Sequence, residues 1–283
     1  MAETWTVLKI LQWSQEYFTK KGIDAPRLTA DLLLSHVLGL DRVKLYMNFD
    51  RPLNKDELAS YRALIERRVA GEPTAYLTGV REFFGRSFRV DTRVLVPRPE
   101  TERLVEVVLD ALPKDQPRKV VDLGTGTCCI AATIAAERPQ ARVTAVELLD
   151  GALEVAKTNL TSLGLTERVE LLAGDLFSPL AGRSFDVVTS NPPYIAEGEF
   201  DQLPREVQHE PKQALLAGPK GTEIIERIAD AAQTHLEPGG LLALEIGDDQ
   251  KAVVQELLKA KGYSGVQVLA DWAGKDRIAI ARW

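Results

Sequence analysis

Four short apolar runs recur from residue 119 onward: KVVDLG (119–124), RVTAVE (142–147), VELLAG (169–174) and FDVVTS (185–190). Helical or loop stretches separate them. Each run is too short for a helix and too uniformly apolar for a strand with one wet face, so each reads as a strand buried on both sides. A fifth, GGLLALEIG (239–247), follows. Strands alternating with helices predict an α/β fold, a parallel sheet with helices on both faces. The tail, VQVLADWAGKDRIAIARW, reads as two more strands around a turn and predicts an antiparallel edge to that sheet.

The chain before the sheet has a different period. Val7, Ile10, Leu11 and Phe18 share one helical face, and Ala30, Leu33, Leu34 and Val37 repeat the pattern before Gly39. A third helix is expected from Asn54, with Glu57 as its capping-box partner. GEPTAYLTG (71–79) breaks this pattern and reads as a linker. EFFGRSFRVDTRVLV (82–96) alternates around turn residues, as a β-hairpin does. Pro99 suits a first helical turn, where Glu100 and Glu102 complement the helix dipole. The expected organisation is an α-helical domain over 1–75 that helps dock a substrate, a hairpin-bearing linker over 76–98, and a sheet domain over 99–283.

Composition narrows the function classes. With 45% hydrophobic and 27% charged residues, the chain can bury a sizeable core. No apolar run approaches the ~20 residues that cross a bilayer, and the start resembles no targeting peptide, so no membrane partner is expected. The two cysteines, Cys128 and Cys129, are adjacent and suit neither a disulfide framework nor a metal site. A reducing cytoplasm is the expected setting. The net charge of −6 lacks the basic excess of a general nucleic-acid binder.

The strand ends carry the chemistry. VVDLGTGTCCIAATIA (120–135) joins a strand to a helix through Gly124, Thr125, Gly126 and Thr127, where glycine lets a ligand lie against the main chain. Cys129 stands where a dinucleotide fingerprint has its third glycine, which argues against a nicotinamide cofactor. Asp122 offers an acceptor for an ammonium or an ordered water. Glu147 closes the second strand, where an acid binds ribose hydroxyls and repels a ribose phosphate. Asp175 could accept from an adenine amino group while Leu176 covers the ring. Three acids at successive strand ends indicate an adenosine ligand without phosphate, and S-adenosylmethionine fits.

After the fourth strand comes Asn191-Pro192-Pro193-Tyr194, a rigid turn suited to something flat. DLGTGT, the acid at Glu147 and NPPY, in this order, resemble class I (Rossmann-like) methyltransferases acting on planar amino groups. GEPTAYLTGVREFFG, LVPRPETE, SNPPYI, Glu210-Pro211 with Ala214-Leu215, and AGKDRIAIAR make the resemblance closer. Over nearly its whole length the chain is similar to the HemK/PrmC family of glutamine N(5)-methyltransferases. That resemblance implies methyl transfer from S-adenosylmethionine, leaving S-adenosylhomocysteine, to the glutamine of the Gly-Gly-Gln motif of peptide chain release factors. It implies that residues 124–128, Glu147, Leu176 and Asn191 line the cofactor site, and that Asn191 to Tyr194 hold the glutamine. Cys128 replaces the family's usual loop glycine, and its side chain is expected to crowd the methionine moiety or shift the helix start.

An amide nitrogen is a poor nucleophile because its lone pair is delocalised. On this reading the Asn191 side-chain oxygen and the Pro192 carbonyl each accept one substrate N–H, and Tyr194 stacks on the flat amide. Two alternatives stay open. An adenine-amino DNA or RNA methyltransferase would use the same turn, and a non-catalytic protein-binding module could retain a vestigial pocket.

Overall fold

The computed structural model describes residues 4–283. The chain divides into two compact units, one of residues up to 80 with 204–209 and the other of 81–203 with 210–283.

The first unit is helical: α1 (Val7–Lys20), α2 (Pro26–Leu38), α3 (Arg42–Met47), α4 (Lys55–Val69) and α5 (Thr74–Thr78). Val7, Ile10, Leu11 and Phe18 of α1 meet Leu33 and Leu34 of α2 and Tyr61 and Ile65 of α4 in one core. The expected face is therefore the buried one. Gly39 ends α2 in the left-handed region at φ 62°. Asn54 and Glu57 form a reciprocal capping box at 2.9 Å each way. That helix is the fourth rather than the third. Asp41 caps the six-residue α3, whose apolar spacing is too brief to register as a period. The stretch read as a linker holds α5, and its Leu77 belongs to the helical core.

The second unit opens with a hairpin, β1 (Val80–Phe83) and β2 (Arg86–Arg89). Its two connecting residues, Phe84 and Gly85, both have positive φ, as a type I′ turn requires. Phe83 and Phe88 meet edge to face at 6.1 Å within the core of the second unit, so the hairpin is part of that core. The segment read as strand-like as far as residue 96 leaves the strand after Arg89.

There follow α6 (Pro99–Ala111), β3 (Lys119–Leu123), α7 (Cys129–Glu137), β4 (Arg142–Glu147), α8 (Asp150–Ser162), β5 (Val169–Ala173) and β6 (Phe185–Ser190). A two-residue strand β7 (Ile195–Ala196) precedes α9 (Arg205–Gln208) and pairs with β8 (Leu216–Gly218). Then come α10 (Glu223–Ala232), β9 (Leu236–Glu245), α11 (Lys251–Ala260), β10 (Ser264–Ala270) and β11 (Asp276–Arg282).

The seven-stranded sheet runs β10-β11-β9-β6-β3-β4-β5. The last five in this order are parallel, β11 runs antiparallel beside β9, and β10, antiparallel to β11, again points the way of the five. The tail thus supplies the antiparallel strand, β11, and beyond it the edge strand β10. Alternate strand residues face opposite cores. Val120, Val143, Val187 and Leu241 lie under α6 and α7, whereas Val121, Val146, Val188 and Leu242 lie under α10 and α11. This is the class I methyltransferase arrangement. Strand order reverses between β3 and β6, which opens a crevice at their carboxyl ends. No helix among the described residues is long and apolar enough to cross a membrane.

Because Phe88 is fully buried, Phe88→Ala is expected to destabilise the second unit by about 3–5 kcal/mol. Denaturant unfolding followed by hydrogen exchange in β3 and β6 checks this. A loss below about 1 kcal/mol would show that the hairpin lies outside the cooperative core.

Candidate active site

The carboxyl ends of β3, β4 and β6 border one cleft, walled by Gly124–Thr127, Glu147, Asp175, Leu176 and Asn191. Gly124 and Gly126 have φ of +65° and +54°, and a Cβ built on either would meet nothing within 4 Å. Both line the cleft, so any side chain there would fill space that the bare backbone leaves for a ligand.

Glu147, at the end of β4, is 7% exposed and pins that loop. One carboxylate oxygen accepts from Gly126 N at 2.8 Å, and the other accepts from Leu148 N and Leu149 N at 2.9 and 3.0 Å. A carboxylate has about four acceptor positions, so about one remains for a hydroxyl in the cleft. The acid is therefore fixed before any ligand arrives.

Cys128 also has positive φ, +66°, and forms the N-terminal cap of α7 in the left-handed region. Its side chain is wholly buried in the core beneath α6 and α7 rather than in the cleft wall. The expected crowding of the cleft does not arise. The cost is local backbone strain, since a Cβ in this region is disfavoured by about 1–2 kcal/mol. Burial pushes both thiols up, Cys129 to about 12, so neither is a ready nucleophile.

Asp122 is fully buried behind the loop rather than in the cleft wall. One of its oxygens accepts from the Thr125 hydroxyl at 2.6 Å, and the other is buried without a partner. Burial raises its carboxyl to about 7. An orphaned acceptor beneath the glycine loop is what an ammonium or bridging water would satisfy. Asp175 lines the cleft but is paired with Arg227 at 2.6 Å, both about half exposed. Such a pair is weak and leaves one carboxylate oxygen for a donor. Leu176, beside it, has φ +49°, a strained setting that holds an apolar side chain at the cleft.

Of the four residues after β6, Asn191 and Pro193 face this cleft. Pro192 is buried, and Tyr194 packs against the second core and lines an adjoining cleft with Lys220 and Arg277. The Tyr194 carbonyl accepts from Gln250 at 2.9 Å, which fixes the exit from the turn. The Asn191 amide nitrogen donates to the Thr101 hydroxyl at 3.1 Å, and Thr101 donates to Glu245 at 2.6 Å.

The sequence reading missed several members. Thr101 sits in the first turn of α6, inside a segment quoted for its helix-start signals and its family resemblance but given no role in the site. Glu245 closes β9 within an otherwise apolar run, and an acid in such a run was a usable signal. Glu210 is 3% exposed, accepts from Val96 N at 3.0 Å and pairs with Arg98 at 2.6 Å. It thereby fastens the Leu95–Arg98 wall to the loop after the turn. The three histidines line neither this cleft nor its neighbour, and His209 is exposed.

Residues 9–79 match the PrmC N-terminal domain family, and residues 102–221 match the Methyltransferase small domain family. A solved methyltransferase from Pyrococcus furiosus superposes with a TM-score of 0.53 over 79% of this chain and 98% of its own. At 23% identity that likeness shows the fold alone. The release factor glutamine methyltransferase of Rhodopirellula baltica is 43% identical, covering 98% of each chain. That of Chlorobaculum tepidum is 42% identical over 97% of this chain and 96% of its own. With identity of this order sustained over both units, the chain belongs to the release factor glutamine methyltransferase family.

Proposed function

We propose that this protein transfers a methyl group from S-adenosylmethionine to the side-chain amide nitrogen of the glutamine in the Gly-Gly-Gln motif of peptide chain release factors. The observation that carries the reading is a single cleft bordered both by the glycine loop with Glu147 and by Asn191. A site for an adenosine ligand and a grip for a planar amide are thus adjacent. The two buried free cysteines suit a cytoplasmic setting.

S-adenosylmethionine would supply a methyl already activated by its sulfonium charge. Glu147 would take a ribose hydroxyl, Asp175 the adenine amino group, and Leu176 the ring face. Asp122, beneath the loop, would take the ammonium through a water. Asn191 Oδ1 and the Pro192 carbonyl accept the two N–H groups of the substrate amide and hold its nitrogen in line for attack. The rings of Pro192 and Pro193 fix φ on either side of the Pro192 carbonyl, so that acceptor keeps its aim. Holding the reactants in an attack-ready pose can supply up to ~7–11 kcal/mol of a barrier. Acceptors aimed at the positive charge growing on nitrogen add to this. No general base precedes the transfer, because the methylated nitrogen is acidic and sheds its proton readily. With the Tyr194 ring in the neighbouring cleft wall, excluding water from Asn191 falls to Pro193 and the apolar walls.

Purified protein with methyl-labelled cofactor is expected to label an unmethylated release factor, and Asn191→Ala to lower that rate by at least about a hundredfold. Labelling that persists in Asn191→Ala, or that never appears, would overturn the proposal. In calorimetric titration with S-adenosylmethionine, Glu147→Ala is expected to weaken binding by at least about tenfold, ~1.4 kcal/mol. Cys128→Gly should leave the Kd within about threefold, because that side chain is absent from the cleft. A large change in Cys128→Gly would show that the loop depends on the cysteine.

A further inference from the structure

An asparagine side chain carries a donor at one end and an acceptor at the other, and a half-turn about its last torsion exchanges them. A residue that must present oxygen to a substrate amide therefore needs something that tells its ends apart. Asn191 sits at the end of β6, and Thr101 and Glu245 bond to it in series from α6 and β9. The two are 2% and 1% exposed, so water does not substitute for either partner.

The sense of the chain follows from proton counting. An ionised carboxylate only accepts, so the single hydroxyl proton of Thr101 goes to Glu245 at 2.6 Å. The hydroxyl then has only lone pairs to offer Asn191, and only the amide nitrogen can bond to it, at 3.1 Å. Asn191 Oδ1 is left facing away from Thr101. If Glu245 instead carries a proton and donates it, Thr101 can donate onward, and the arrangement stabilises a flipped Asn191 that presents nitrogen. We infer that Thr101 and Glu245 are positioning residues for the transfer reaction, orienting Asn191 so that its side-chain oxygen, and not its nitrogen, meets the substrate amide. The inference rests on the proposed amide grip of Asn191.

The surroundings of Glu245 bear on its charge. Burial pushes its carboxyl up to about 7. Arg277 on β11 and Arg98 ahead of α6 favour the ionised form, and Glu100 on α6 opposes it. Tyr194 after β6 and Cys129 on α7 also face it, and burial raises the titration of both. The relay is thus poised to reverse near neutrality, with oxygen presented above about 7 and the flipped form favoured below.

The relay can be read without catalysis. In nitrogen-15 NMR, the Asn191 side-chain amide, identified by its absence from Asn191→Ala, is expected to shift as pH crosses about 7 in the wild type. That titration should vanish in Thr101→Val and in Glu245→Gln and persist in Thr101→Ser, which keeps the hydroxyl. In transfer assays Thr101→Val should lose at least about tenfold in kcat with the KM for S-adenosylmethionine within about threefold, and Thr101→Ser should recover most of the loss. Thermal melts of both variants separate this from misfolding, which would move KM and melting together. The inference is overturned if the Asn191 signals titrate alike in Thr101→Val and wild type, or if Thr101→Val keeps the wild-type kcat. A wild type that transfers no methyl while its Asn191 signals still depend on Thr101 would defeat the proposed reaction and support the relay.

Discussion

The site depends on one topological constraint, the reversal of strand order between β3 and β6. A right-handed crossover carries the chain from β3 to β4 and β5 on one side, and the chain must return across the sheet to place β6 on the other. The loops after β3 and β6 therefore diverge and leave a crevice that neither can close. Gly124–Thr127 enters it from β3, Asn191 from β6, and Glu147 from the adjacent β4. Residues far apart in sequence become neighbours because parallel strands end on one edge.

Within that crevice, polar groups are fixed by backbone partners rather than left to a ligand. Glu147 takes three main-chain N–H groups from two loops. Glu210 secures the opposite wall through Val96 and Arg98. Asn191 is held through Thr101 to Glu245. Ordering these side chains during folding removes that cost from binding, which is how the cleft can hold reactants in one pose. The price is buried acids: Asp122 and Glu245 are both pushed to about 7 by desolvation.

Much of this was legible in the sequence because local chemistry decides it. The parallel strands announced themselves through apolar runs, and Glu147 through its place at a strand end. The capping box at Asn54 needed only residues three apart. What stayed hidden depends on long-range contact. Thr101 and Glu245 are 144 positions apart and meet only because α6 covers β9. Cys128 was misjudged for a related reason. The loop glycine it replaces needs a left-handed backbone, but which way a side chain there points is settled by the packing of α7. The place of Tyr194 could not be read either, since its ring turns to a neighbouring cleft through contacts with the second core.

Family membership favours a protein amide over a nucleic-acid base, although the turn after β6 alone would suit either. Mass spectrometry of the tryptic Gly-Gly-Gln peptide from an unmethylated release factor, incubated with this protein and S-adenosylmethionine, separates the two most directly. The account predicts one added methyl located on the glutamine side-chain amide. An unmodified glutamine, or methylation at another residue, would contradict it.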